Sequence, residues 1–184
     1  GQYTLATQEA IATTAIFPTE LGALLSAHEL FTSLGLTDEA ATMLEQINEA
    51  ASSVPAKERS GMDFVRLGQA ALVLGADPKT VSEQFYDRAK AKKPKGRNIP
   101  EGFLEAHLAM GDLAMAKNDL GTAAEEFGEV LAYAPENPDA LIGLATALMP
   151  NDRGAGMRYL EQLLRLVPAH VEGLLLRTEY AINF

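Results

Sequence analysis

Residues 104–137 read LEAHLAMGDLAMAKNDLGTAAEEFGEVLAYAPEN. Apolar residues recur at helical spacing up to a turn at Lys117-Asn118-Asp119, and again from about Gly121 to Ala132. The stretch therefore predicts two helices joined by a short turn. Gly111, Ala114 and Ala123 are small where the two helices must approach closely, and Phe127 and Val130 follow at helical spacing to fill the space between them. Pro135 stops the second helix, because proline lacks the amide hydrogen and clashes with the preceding turn.

This 34-residue unit resembles the tetratricopeptide repeat, which has a bulky then a small residue in its first helix and a small, aromatic, small, proline series in its second. The residues that carry the resemblance are Met110-Gly111, Ala114, Ala123, Phe127, Val130 and Pro135. The same frame recurs at Ala27-His28, Phe31, Gly35, Ala40, Leu44 and Ile47. It recurs at Leu67-Gly68, Ala71 and Gly75, then Val81, Phe85 and Arg88, with one residue inserted around Asp77-Pro78. A further copy runs through Leu144-Ala145, Leu148, Gly156, Leu160, Leu163 and Pro168, with one residue deleted near 150–153.

Ala6, Ala10, Thr13 and Pro18 fall where a second helix and its stopping proline belong. The expected division is a half repeat at 4–20, repeats at 21–54, 61–94, 104–137 and 138–170, and a closing first helix at 171–184, all in one domain. The segments 52–61 and 90–102 lengthen two connections, and Leu24, Phe64, His107 and Leu141 stand where the family often opens its first helix with a large aromatic. The resemblance implies an all-α fold, a right-handed superhelical solenoid of stacked antiparallel helix pairs with about ten helices. An irregular helical bundle is the structural alternative.

Composition agrees with this. Hydrophobic residues make up 47% of the 184, enough for a core, and the common residues are helix formers. The chain has no cysteine, which excludes disulfides, thiolate metal sites and cysteine nucleophiles. No apolar run reaches the roughly 20 residues that cross a bilayer, and the first segment lacks the layout of a signal peptide. Gly1 with no initiator Met reads as a tag scar on a fragment of a longer protein, so no compartment is assigned. The net charge of −10 disfavours nucleic acid and anionic membrane as partners.

Phasing the first helices by their packing residues leaves three outward columns. The first is Leu25, Val65, Leu108, Ile142 and Leu175; the second is Glu29, Gln69, Asp112, Thr146 and Glu179; the third is Thr32, Leu72, Met115, Met149 and Ile182. If the resemblance holds, these columns line a concave groove that binds an extended or helical peptide, with apolar flanks and a polar, partly acidic spine. One subset of the family grips chaperone C-terminal carboxylates with Lys, Arg and Asn; here only Arg66 is basic nearby, which argues against that ligand.

Catalytic constellations are missing from the sequence. His28, His107 and His170 lie in different hairpins, none spaced as a helical metal pair, and His107 reads as a packing residue. Arg153-Gly-Ala-Gly156 lacks the lysine and hydroxyl of a phosphate loop and reads as a turn. Glu125, Glu126 and Glu129 read as a solvated outer helix face. No metal, cofactor or enzymatic activity is therefore expected.

A basic run, Arg88, Lys90, Lys92, Lys93, Lys95 and Arg97, holds six of the fifteen basic residues. It reads either as a helix end and connector or as a patch for an anionic partner. The expected function is a non-catalytic protein interaction module, with a substrate-positioning or assembly domain of a larger enzyme as the alternative. The apolar C-terminal helix, with Leu174-Leu175-Leu176, also offers a homodimer contact.

Overall fold

The computed structural model describes residues 2–53, 55, 59–96 and 98–182. They form ten helices, and the only extended pairing among them is an isolated bridge between Lys95 and Asn98. The chain divides into two compact units, residues 1–91 and 92–184.

The N-terminal unit holds α1 (Gln2–Ile16), α2 (Leu21–Ser33), α3 (Thr37–Ser53), α4 (Gly61–Val73) and α5 (residues 78–89). The C-terminal unit holds α6 (Phe103–Ala116), α7 (Leu120–Tyr133), α8 (Pro138–Leu148), α9 (Arg153–Leu166) and α10 (Val171–Ile182). Within each unit, consecutive helices pack against one another, and first helices also pack on the next first helix: α2 on α4, α6 on α8, α8 on α10.

The turns show why the hairpins recur. After α2, α4 and α6 the chain passes through one left-handed residue, Gly35 at φ 71°, Gly75 at φ 88° and Asn118 at φ 57°. The amide one residue further on then donates back to the helix: Leu36 to Phe31, Ala76 to Ala71 and Asp119 to Ala114, at 2.8–2.9 Å. This is a Schellman stop, and it needs glycine or asparagine because a Cβ is strained at positive φ. The α8–α9 hairpin, one residue shorter, has no left-handed residue and closes with the Asp152 amide donating to Leu148 at 2.7 Å.

Side-chain caps begin the helices. Asp77, Asp119, Asn137 and Asp152 each accept from the backbone amide three residues on, and Ser60 and Asp63 exchange hydrogen bonds in a capping box. Asp152 starts α9, so Arg153-Gly-Ala-Gly156 is the first turn of a helix rather than the expected loop turn.

The interior is built from aromatic rings laid on glycines. Phe127 is 1% exposed, and a Cβ on Gly111 would come within 2.6 Å of its ring, on Gly143 within 2.5 Å. In the α4–α5 hairpin the buried ring is Tyr86, and a Cβ on Gly68 would lie 2.5 Å from it. The sequence frame placed Phe85 and Arg88 at these inward positions. The structure places Tyr86 and Ala89 there instead, because Ser82–Tyr86 forms a single π turn in which the Asp87 amide reaches back to the Ser82 carbonyl. A π turn carries one residue more than an α turn, so it advances the inward face by one position.

Candidate functional site

In the C-terminal unit the three first helices each bring a carboxylate to a common region. Asp112 lies two turns into α6, Asp139 in the first turn of α8 and Glu172 in the first turn of α10. Asp139 and Glu172 sit at helix N-termini, where the backbone dipole favours negative charge. Asp112 has no such compensation. Its side chain is exposed, yet its carboxyl is held above the ordinary carboxylate range, first because neighbouring protein displaces part of its water, then because Asp139 and Glu172 repel its charge.

The remaining column residues divide by burial. In the polar column, Glu29, Gln69, Asp112 and Glu179 are exposed; Thr146 is half-buried and donates its hydroxyl to the Ile142 carbonyl at 2.9 Å. The apolar columns need correction. Val65, Ile142 and Met149 are 2%, 6% and 2% exposed, so they are core residues and cannot touch a ligand. Leu25, Leu72, Leu108 and Met115 are half-buried, and Leu25, Leu108 and Met115 pack onto the core clusters. The physical reason is that first helices stack on first helices, so apolar residues flanking the spine fill the seams between them. Leu175 departs from this, at 65% exposure. Thr32 is exposed, and the side chain of Ile182 lies outside the described residues.

The basic run is only partly described. Arg88 lies over the Phe64 ring at 5.8 Å, Lys90 lies 3.8 Å from Asp87, and Lys92, Lys93 and Lys95 are exposed. Arg97 lies outside the described residues.

His107 is 5% exposed, edge-on to Phe103, and its Nδ1 meets Glu126 Oε2 at 2.6 Å. Glu126 is therefore an interhelical partner, not part of a solvated face. Among the described residues no three His, Asp or Glu side chains are grouped as a metal site, and no helix is long and apolar enough to cross a membrane.

One feature of the N-terminal unit went unpredicted. A cavity of about 580 Å³ opens along α1 and α2, lined by small residues such as Ala6, Ala10, Gly22 and Ser26 and by Glu9, Glu20 and Arg66 of α4, the last two paired with each other. In the repeat frame Ala10 stands where α3 carries Leu44 and α7 carries Phe127, so a small residue replaces a bulky one.

Within each unit, helical hairpins with first helices stacked on first helices make a helical-repeat architecture. A model of the tetratricopeptide repeat matches residues 114–156, the stretch that holds the α6–α7 turn, α7, α8 and the start of α9. Over 80 residues it is 35% identical to cargo-transport protein YPP1 of Saccharomyces cerevisiae, covering 42% of this chain and 10% of that protein. The chain thus spans about a tenth of that relative's length.

Among solved structures, TTC0263, a thermophilic tetratricopeptide protein of Thermus thermophilus, aligns with a TM-score of 0.63 at 20% identity, over 98% of this chain and 90% of that one. YrrB, described as a tetratricopeptide protein with an unusual peptide-binding site, aligns at 0.53 and 18% identity, over 96% and 84%. These similarities show an all-α fold of stacked helical hairpins.

Proposed function

We propose that this chain is a non-catalytic interaction module that binds a peptide segment bearing basic residues along the exposed polar face of α6, α8 and α10. The observation that carries the reading is Asp112. A carboxylate held partly dry beside two others of the same sign costs stability, and a cationic side chain docked among the three would relieve that cost. The apolar flanks are mostly occupied by core packing, so recognition rests on the polar spine, with half-buried Leu108 and Met115 as its apolar border. The similarity to a protein named for cargo transport fits a module that holds another protein.

The reading is tested by fluorescence anisotropy with an amphipathic helical peptide carrying two arginines one turn apart, and with its glutamate counterpart. The arginine peptide should bind, weaken as salt rises, and lose about tenfold on Asp112→Asn, the loss of one desolvated charge pair at about 1.4 kcal/mol. Equal binding of both peptides, or an unchanged affinity for the variant, would overturn it.

A further inference from the structure

The α1–α2–α3 segment and the α7–α8–α9 segment share one repeat frame, and they differ where their two second helices meet. Thr14 of α1 corresponds to Leu131 of α7, and Met43 of α3 to Tyr159 of α9. Leu131 and Tyr159 are half-buried and pack onto two successive cores, one holding Phe127 and the other Leu160. In the N-terminal unit the smaller pair leaves space instead. A second cavity, of about 360 Å³, opens there between α1 and α3 and reaches Phe31 of α2, with Ile11, Thr14 and Met43 in its walls.

This cavity has helices of the chain on both sides. Its α1 wall, Ile11, Thr14 and Pro18, is a different face from the Ala6 and Ala10 face that lines the larger cavity. The α7 counterpart of that wall looks towards α9, since Leu131 packs on the cluster that contains Leu160 and Leu163.

The chemistry of the lining selects a guest. Its surface is mainly apolar, and the Thr14 hydroxyl is already engaged, donating to the Ala10 carbonyl at 3.0 Å. Gln46 of α3 also lines the cavity, and its Oε1 is buried with no hydrogen-bond partner among the described residues. The matching residue of α9, Gln162, donates its side-chain amide to the Pro135 carbonyl at 2.9 Å. A buried acceptor left unpaired costs stability, and Gln46 as a residue is only half-buried, so its amide has room to turn towards a donor in the cavity. The Phe31 ring and the Met43 sulfur both favour contact with another aromatic ring. Glu39 in the lining disfavours an anion.

We propose that this cavity binds a small neutral aromatic molecule carrying one hydroxyl or N–H donor. Its ring takes the space that Leu131 and Tyr159 fill in the C-terminal unit, and its donor meets Gln46 Oε1. Apolar cavities in helical proteins take up small aromatic molecules, and this one has the volume of a small-molecule site.

The test is a titration of the purified 184-residue chain with phenol, toluene and benzoate, followed by NMR through the ring resonances of Phe31. Phenol and toluene should shift them saturably, and benzoate should not. Gln46→Leu should weaken phenol about fivefold, the factor of one net hydrogen bond, and leave toluene unchanged. The double variant Thr14→Leu, Met43→Tyr imports the residues of α7 and α9 and should abolish binding of both ligands, with circular dichroism reporting that it folds.

No saturable shift of Phe31 with either neutral ligand overturns the proposal. So does benzoate binding as tightly as phenol, which marks an anion site, or phenol binding that Gln46→Leu leaves unchanged. Binding that survives in the folded double variant places the ligand elsewhere and overturns it too; should that variant fail to fold, Gln46→Leu still decides. These substitutions lie in the N-terminal unit and Asp112 in the C-terminal one, so peptide binding is scored independently.

Discussion

The α4–α5 and α6–α7 hairpins solve one packing problem in two ways. Both lay an aromatic ring of the second helix on a glycine of the first, Tyr86 on Gly68 and Phe127 on Gly111. In α7 the register is that of an unbroken α-helix. In α5 the ring reaches the glycine only because the helix takes a π turn at Ser82–Tyr86. In these two hairpins the ring-on-glycine contact is kept, and backbone regularity yields to it. Burying a ring is worth about 1.5–3 kcal/mol, and the single π turn is the irregularity that accompanies it here.

The largest effect that separates the two hairpins comes from deleting one residue. Removing Gln84 should turn the π turn into an α turn and keep Tyr86 and Ala89 facing Gly68, so stability should change by a fraction of a kcal/mol up to about 1 kcal/mol. Removing Glu125 rotates Phe127 and Val130 off their face, and should cost at least the roughly 3–5 kcal/mol of a buried Phe→Ala change. Urea unfolding measures both. Equal losses would mean that the π turn is fixed by something other than the ring.

Next in size is Gly111→Ala. The added methyl would lie 2.6 Å from the Phe127 ring, and overpacking of this kind costs about 1–3 kcal/mol. Combining it with Phe127→Leu should recover part of that loss in the same urea experiment, since the two residues compete for one volume. Additive losses would mean that the strain lies elsewhere.

The same contrast explains what could be read from the sequence. The hairpins were legible because each requirement is local: a left-handed residue at Gly35, Gly75 or Asn118, a small residue opposite a ring, a cap such as Asn137 three residues before the amide it holds. The π turn was not legible, because an extra residue restores the frame equally well in a turn or inside a helix. The role of Glu126 was hidden for another reason: its partner His107 is nineteen residues away, and nothing in the local pattern marks the pair. Glu29, Gln69, Asp112 and Glu179 are exposed and Thr146 is half-buried, whereas apolar flanks such as Val65 and Ile142 could not be told from seam packing, since both face the neighbouring first helix. The α1–α2 cavity showed in the sequence only as Ala10 standing where the other repeats carry a bulky residue.

The smallest effect comes from two aspartates of the α6–α7 hairpin that respond to their surroundings with opposite signs. Asp119 is held below the ordinary carboxylate range by hydrogen bonds from the Thr122 hydroxyl and then the Thr122 amide, so its contribution to stability is present above the unfolded-state pKa and fades as pH falls through the lower folded value. Asp112 is raised by partial desolvation and by Asp139 and Glu172, so the folded chain binds its proton more tightly than the unfolded chain does. Its charge therefore costs stability above the raised folded pKa, and that cost shrinks as pH falls through the folded value towards the unfolded one.

Asp112→Asn should accordingly raise the melting temperature at pH 7, with the gain disappearing in acid, whereas Asp119→Asn should lower it at pH 7 through loss of the charged cap. Exposure of both groups keeps either shift to a few degrees or less, as expected for screened surface charge. If Asp112→Asn neither stabilises the chain nor weakens arginine-peptide binding, the acidic spine is merely solvated surface.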